Sequence, residues 1–339
     1  MRKNPERKRK MKIHRTEQSS HENRGKLAKR RVKLAGMGRM LGGEKIIFGG
    51  QTRYRLLKEQ SLLDLAEEAA NQALLAAGMN IKDIDLIVCA MATPLQAIPC
   101  NAALVHERMA KGLDIPAMDI NTTCTSFISA VDILSCLVDN NRYERVLILS
   151  GDTASAALNP GQRESYELFS DGAAACVLVK ATEGEESAVL YGCQKTWSEG
   201  AHDTEIRGGC GLMPAFYMEE SNQEDYYFDM KGPRVLKLCA KRLPAFVEQC
   251  LGNAGVERKD IHKVIPHQAS RALDIIMPRL GFPKGSYIDR VKEYGNLVSA
   301  SVPFVLCEAA EMGLIQRGDL LLLMGTAAGL TVNFLLIRY

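Results

Sequence analysis

Lys82-Asp83-Ile84-Asp85-Leu86-Ile87-Val88 returns later in the chain as Lys259-Asp260-Ile261-His262-Lys263-Val264-Ile265, an offset of 177 residues. Each copy follows a helical apolar pattern, Leu62–Ala77 in the first case and Leu236–Ala254 in the second. Each pattern ends in a glycine, Gly78 or Gly255, the usual stop for a helix that must turn back. A second pair agrees: Arg145-Val146-Leu147-Ile148-Leu149-Ser150-Gly151 matches Asp319-Leu320-Leu321-Leu322-Leu323-Met324-Gly325, offset 174. Continuous apolar strands alternating with helices predict an α/β protein with a mostly parallel sheet covered on both faces. The chain therefore reads as two pseudo-twofold-related halves, 32–185 and 186–339. Functional residues are expected between them, at the carboxyl ends of strands.

The duplication also positions candidate chemistry. In the first half a strand-like run, Ala117-Met118-Asp119-Ile120, leads into Asn121-Thr122-Thr123-Cys124-Thr125-Ser126-Phe127 and then an apolar helix, Ile128 to Leu137. A thiol at a helix start meets unpaired N–H groups, which predicts a bias toward thiolate at Cys124. In the second half the strand Val264-Ile265 runs into Pro266-His267-Gln268-Ala269-Ser270. The equivalent helix begins near Gly295-Asn296-Leu297-Val298-Ser299-Ala300-Ser301-Val302-Pro303. Cys124, His267 and Asn296 are thus placed to meet on the pseudo-twofold axis. Each has a bland reading alone: a packed thiol, a strand-end hydrogen-bonder, a turn or helix cap. Asp171-Gly172 reads as a structural turn at the edge of the site.

Composition narrows the class. The 339 residues are 46% hydrophobic and 24% charged, ordinary for a globular protein. No apolar run reaches the length of a membrane span. Ten cysteines lack C-x-x-C spacing, which reads as reduced thiols in a cytoplasmic protein, neither disulfide framework nor zinc site. The net charge of +3 hides an asymmetry, since residues 1–31 hold 13 Lys/Arg against 3 Glu. This segment has no apolar h-region of a secretory signal and is expected to be a solvated, disordered extension or the product of an upstream start. It has no aromatic residues among the basic ones, so nucleic acid is a weak reading.

From about residue 32 to 339 the chain resembles the thiolase superfamily, and within it ketoacyl-ACP synthase III. The markers are Thr123-Cys124-Thr125-Ser126-Phe127, Leu168-Phe169-Ser170-Asp171-Gly172-Ala173-Ala174, Val264-Ile265-Pro266-His267-Gln268-Ala269, and Gly295-Asn296 with Ser301-Val302-Pro303. The spacing from Met230-Lys231-Gly232 to His267 and the ending Gly325–Leu330 followed by a strand to Tyr339 also fit. The resemblance implies a five-layer αβαβα homodimer with no tightly bound cofactor. It implies an acyl group taken from acyl-CoA or acyl-ACP onto Cys124, then decarboxylative Claisen condensation with malonyl-ACP. The backbone N–H groups of Cys124 and Ala328 would form the oxyanion hole. His267 and Asn296 would stabilise the enolate. Acyl carrier protein is the implied partner.

Departures from the family pattern lie at the entrance. The segment Gly36 to Ser61 is short, and only Gln51-Thr52-Arg53-Tyr54-Arg55 resembles the family's Arg-Thr-Gly-Ile-Arg motif. The only tryptophan, Trp197, is not where the family stacks the CoA adenine, although Arg163 matches the other adenine partner. The ending Gly325-Thr326-Ala327-Ala328-Gly329 replaces a Gly-Phe-Gly-Gly-Gly run. The family's carrier-docking arginine aligns with Ala272, leaving Lys237, Arg271 and Arg279 as the basic contacts. The acyl gate contributed across a dimer aligns with Ile98, smaller than the usual Phe. These changes point to a specialised paralogue. Two other readings stay open: an acyltransferase using a different second nucleophile, and a non-catalytic partner subunit of an active condensing enzyme.

Overall fold

The computed structural model describes residues 29–339. The first half contains β1 (Val32–Leu41), β2 (Glu44–Phe48), β3 (Gln51–Arg55), α1 (Leu62–Ala76), β4 (Leu86–Cys89), α2 (Asn101–Met109), β5 (Ala117–Asp119), α3 (Ser126–Asp139), β6 (Arg145–Asp152), α4 (Arg163–Tyr166) and β7 (Gly172–Lys180). The second contains β8 (Ala188–Thr196), β9 (Thr204–Glu205), β10 (Asp229–Met230), α5 (Gly232–Ala254), β11 (Lys263–Pro266), α6 (Leu273–Arg279), α7 (Val291–Tyr294), α8 (Ser301–Glu311), β12 (Leu320–Ala327) and β13 (Thr331–Arg338). Helix α1 is opened by a reciprocal Ser61–Asp64 capping box. The paired glycine stops behave alike, Gly78 at φ 67° and Gly255 at φ 66°, where a side chain would be strained.

The repeated pattern becomes two repeated sheets. One has strand order β1-β7-β6-β4-β5, the other β11-β12-β13-β8. They correspond as β1 with β8, β7 with β13, β6 with β12 and β4 with β11. The expectation of a mostly parallel arrangement needs correction. Only β4·β5, β4·β6 and β11·β12 are parallel; β1·β7, β6·β7, β12·β13 and β8·β13 are antiparallel. The reason lies in the connections. Residues 328–330 join β12 to β13, and a parallel crossover needs a dozen or more. Between β6 and β7 the only α-helix has 4 residues, too few to cover a sheet face.

Side-chain alternation then builds five layers. Val88, Val146, Ile148 and Leu178 point inward from the first sheet, as do Ile265, Leu321, Leu323 and Leu335 from the second. All pack on α3 and α8 in one central cluster. The opposite faces carry Ile87, Leu147, Leu149 and Val177 against α1 and α2, and Val264, Leu320, Leu322 and Leu336 against α5 and α6. Ser301 to Ala309 of α8 are all buried, as expected of a helix apolar on every side. Each fully buried Leu or Phe here contributes about 1.5–3 kcal/mol. The central helices are therefore fixed between two sheets, and so are the turns at their amino ends.

Residues 1–28, with most of the basic extension, lie outside the described residues. Lys29–Arg31 do not, and the extension's boundary at 31 is too late. Arg30 is 5% exposed and pairs by backbone with Val189. Its Nη1 donates to the Asp132 carboxylate at 2.6 Å and to the Asp132 carbonyl at 2.7 Å. A buried guanidinium is tolerated because a carboxylate compensates it. No described helix is long and apolar enough to cross a membrane.

Candidate active site

Two mirrored turns form the centre of the site. Cys124 lies in the 3-10 turn Thr123–Thr125 that leads into α3, and Val298–Ala300 is the equivalent turn before α8. Thr123 and Val298 both take φ 52°, a left-handed conformation that is strained for β-branched residues. In one turn Thr123 N donates to Asn121 Oδ1 at 2.8 Å and Thr122 N to Ser126 Oγ at 2.9 Å. In the other Val298 N donates to Asn296 Oδ1 at 2.8 Å and Leu297 N to Ser301 Oγ at 3.0 Å. The register is therefore Asn121 to Asn296, and it places Ser299 opposite Cys124. The two turns pack against each other across the pseudo-twofold axis.

The sulfur of Cys124 faces its own N–H and that of Ala328, both of which favour the thiolate. Burial and the negative charge of Asp152 oppose them and push the thiol up to about 12. The thiolate bias expected from the helix start is therefore not realised in the unliganded protein. Desolvation is the larger influence even though the residue is half-buried, and the 3-10 turn sets it ahead of the first turn of α3.

His267 follows β11, is 4% exposed, and donates its backbone N–H to Met324 O at 2.8 Å. Burial lowers its imidazole to about 4, so it is neutral at pH 7. Its buried Nδ1 has no hydrogen-bond partner among the described residues. A Cβ on Gly325 of β12 would stand 2.8 Å from Thr125 Cγ2 and 3.1 Å from His267 Cβ. Glycine there lets the cysteine turn and the histidine approach the same strand. A pH effect follows. Below the unfolded value near 6.5 the unfolded chain binds a proton at this site that the folded chain refuses down to about 4. This contribution to stability is complete above pH 6.5 and falls by about 3 kcal/mol as pH drops to 4. Denaturant titrations across that window should show this slope in the parent and a shallower one in His267→Gln.

Asn296 is 4% exposed; its Nδ2 donates to Ala269 O at 3.3 Å, on the segment that carries His267. Its backbone bridges to Phe169. Ahead of it Gly295 takes φ 69°, ψ −157°, a region essentially restricted to glycine. A Cβ there would stand 2.3 Å from Leu168 O and 2.6 Å from Arg53 Cδ. Gly295→Ala should therefore cost more than about 1–3 kcal/mol in chemical denaturation, backbone strain adding to the clash. Arg53 is itself 1% exposed, donating to Glu167 O at 2.7 Å and Val291 O at 3.0 Å. The Gln51–Arg55 segment thus braces the Asn296 loop from within.

The other candidates scatter. Arg163 is 86% exposed in its side chain and paired with Glu167 at 2.6 Å. Lys237, Arg271 and Arg279 are exposed and make no ion pair among the described residues. Ile98 is 84% exposed. Trp197 exchanges backbone hydrogen bonds with Leu330 at 2.8 and 3.0 Å, beside the hairpin that carries Ala328, and its ring packs edge-on to Phe246. Two open grooves of about 760 and 660 Å³ lie elsewhere, lined by none of Cys124, His267 and Asn296. No described His, Cys, Asp or Glu cluster could hold a metal. The residues that sequence reasoning missed are Asp152, Ser299 and Thr93; the sequence offsets of 177 and 174 carry Cys124 to Ser301 and Val298, and only the hydrogen-bonded register of the two turns brings it to Ser299.

Comparisons with known proteins point to one family and fold. Residues 118–194 match the family model for 3-oxoacyl-(acyl-carrier-protein) synthase III, and residues 251–339 match the model for its C-terminal part. A beta-ketoacyl-(acyl-carrier-protein) synthase III from Clostridium perfringens is 35% identical over 292 residues, 86% of this chain and 88% of the relative. The enzyme of that name from Aquifex aeolicus is 31% identical over 287 residues, 84% of this chain and 86% of the relative. The crystal structure of 3-oxoacyl-(acyl-carrier-protein) synthase III from Aquifex aeolicus superposes with a TM-score of 0.80 at 27% identity, covering 91% of this chain and all of that one.

Proposed function

Because the chain belongs to the 3-oxoacyl-(acyl-carrier-protein) synthase III family, a family of thiolase-fold condensing enzymes, we propose that Cys124, His267 and Asn296 are its catalytic residues. The single observation that carries this assignment is the convergence of the two mirrored turns on one axis, with the Ala328 N–H aimed at the Cys124 sulfur. In the loading step the sulfur attacks an acyl thioester carbonyl. The acyl–sulfur bond of the donor breaks, the donor leaves as a thiol carrying the proton of Cys124, and the acyl group stays on the enzyme. The N–H groups of Cys124 and Ala328 receive the oxyanion of the tetrahedral intermediate.

In the second step a malonyl thioester on acyl carrier protein loses carbon dioxide, and the electron pair of the broken bond forms an enolate. His267 and Asn296 donate to its oxygen. A neutral imidazole can do this in the tautomer that carries its proton on Nε2, and burial keeps the ring neutral at pH 7. The enolate carbon attacks the acyl carbonyl, Cys124 leaves as thiolate and takes up a proton, and a 3-oxoacyl carrier thioester is released. The protein acts in fatty-acid biosynthesis, or in a related chain, as a homodimer in the cytoplasm. Exposed Lys237, Arg271 and Arg279 receive the acidic carrier, Arg163 contacts a CoA donor and Ile98 of a second copy bounds the acyl pocket.

Incubation with a panel of acyl-CoA and acyl-ACP donors plus malonyl-ACP tests the reading by carrier mass spectrometry. A carrier extended by two carbons as the 3-oxoacyl form is expected with at least one donor. Acyl transfer to the carrier without extension would replace condensation with simple acyl transfer, and no product from any donor would favour a supporting subunit.

A further inference from the structure

Two cysteines outside the catalytic centre meet between β8 and α5. Alternation along β8 and the residue after it puts Tyr191, Cys193, Lys195 and Trp197 on one face of the strand. In α5, Phe246, Cys250 and Asn253 recur at i, i+4 and i+7 and form one stripe of the helix. The two stripes touch at both ends. The Trp197 ring stands edge-on to Phe246 with centroids 5.8 Å apart, and Asn253 Nδ2 donates to Tyr191 Oη at 3.4 Å. Cys193 lies between Tyr191 and Trp197, and Cys250 between Phe246 and Asn253. The two thiols are thereby brought together in one apolar cluster on the outer face of the second sheet. There the Cys250 thiol donates a hydrogen bond to the Cys193 sulfur.

The pair is asymmetric. Cys250 is 0% exposed, whereas Cys193 is half-buried and open to solvent on one side. The hydrogen bond from Cys250 favours charge on Cys193 against its partial desolvation. Lys195, exposed and two residues along the same strand face, adds a cation nearby. Oxidation of a dithiol in two steps needs this division of labour: one accessible sulfur with thiolate character to meet the oxidant, and a second, shielded thiol to close the bridge.

We propose that Cys193 and Cys250 are a reversible oxidation site, in which a hydroperoxide oxidises Cys193 and Cys250 then closes a disulfide that ties α5 to β8. The site is separate from Cys124 and independent of the catalytic assignment. In the first step the Cys193 sulfur attacks a peroxide oxygen, the O–O bond breaks, and water leaves with the thiol proton, so that a sulfenic acid remains. In the second the Cys250 sulfur attacks the Cys193 sulfur, the S–O bond breaks and a second water leaves. Two thiols lose two electrons and two protons in all, and one hydrogen peroxide becomes two waters. A dithiol reductant restores the pair by thiol–disulfide exchange. The bridge also fixes the end of β8, where Trp197 exchanges backbone hydrogen bonds with Leu330 beside the Ala328 hairpin.

The test treats the reduced protein with hydrogen peroxide, blocks the remaining thiols with iodoacetamide and maps a tryptic digest without reductant. Trypsin places each cysteine in a peptide of its own, 181–195 and 243–258. The expected product is these two peptides joined, lighter by two hydrogens than their sum and separated by dithiothreitol. In Cys250→Ala the joined species should be lost, and Cys193 should stay as a sulfenic acid that dimedone labels. Three results in the parent would each overturn the proposal: Cys193 carried on to sulfinic acid, Cys193 bridged to another cysteine, or Cys193 unmodified at a dose that oxidises the exposed Cys210. If the variant does not fold, the parent map decides alone.

Discussion

Cys124→Ala should abolish the covalent acyl adduct on the protein, and with it all condensation. The expected loss is complete, because the adduct is a bond to the sulfur itself and not a contact that other groups can share. The chain holds ten cysteines, so the adduct must be located by peptide mass. Most are poor rivals: Cys89, Cys176, Cys239 and Cys307 are buried and burial pushes their thiols up, while buried Cys250 is raised first by its hydrogen bond with Cys193. Cys193 is the control that matters. Hydrogen bonding with Cys250 lowers its thiol below the ordinary value, so non-specific acylation would fall there. An adduct that survives Cys124→Ala and maps to Cys193 would contradict the assignment. The high resting value of the Cys124 thiol does not count against it, since the two N–H donors stabilise negative charge only where the reaction develops it.

His267→Ala and Asn296→Ala should still take the acyl group but lose decarboxylation of malonyl-ACP by about 10²–10³-fold each, the usual effect of deleting one oxyanion donor. The two losses should not add in the double variant, because both residues serve one enolate oxygen. The competing view of Asn296 is a cap: its Oδ1 accepts from Val298 N at 2.8 Å, and Asn121 does the same for Thr123 at 2.8 Å with no catalytic claim. A cap alone would cost about 1 kcal/mol of stability and leave decarboxylation intact. Radiolabelled carbon dioxide release beside a denaturation curve separates the two.

The fold was legible because it is written twice. Two helix–glycine–strand copies could only mean two equivalent α/β halves, and Gly78 and Gly255 take the same left-handed turn. The strand directions were not legible, because apolar content reports burial on both faces but says nothing of whether a connection crosses the sheet. At the site, strand ends and helix starts located Cys124, His267 and Asn296 from the repeat alone. The influences opposing a thiolate at Cys124, burial first and the charge of Asp152 second, were not legible. A helix start is visible in sequence, whereas the nearness of the Asp152 charge comes from packing between residues far apart in the chain, and desolvation depends on everything around the thiol. The strain at Thr123 and Val298 was equally hidden, since neither residue type announces a left-handed conformation. Arg53 looked like an entrance residue and is an internal brace, because its surroundings at Glu167 and Val291 come from distant segments.

The central claim is that one sulfur carries an acyl group to a carbanion made by decarboxylation. Single-turnover discharge measures it directly: protein preloaded on Cys124 is mixed with malonyl-ACP labelled in the free carboxyl group. Intact mass follows the adduct while released carbon dioxide is counted. The account predicts one carbon dioxide per adduct lost, with the acyl group recovered as the 3-oxoacyl carrier thioester. An adduct that persists, or that leaves without carbon dioxide, would contradict it.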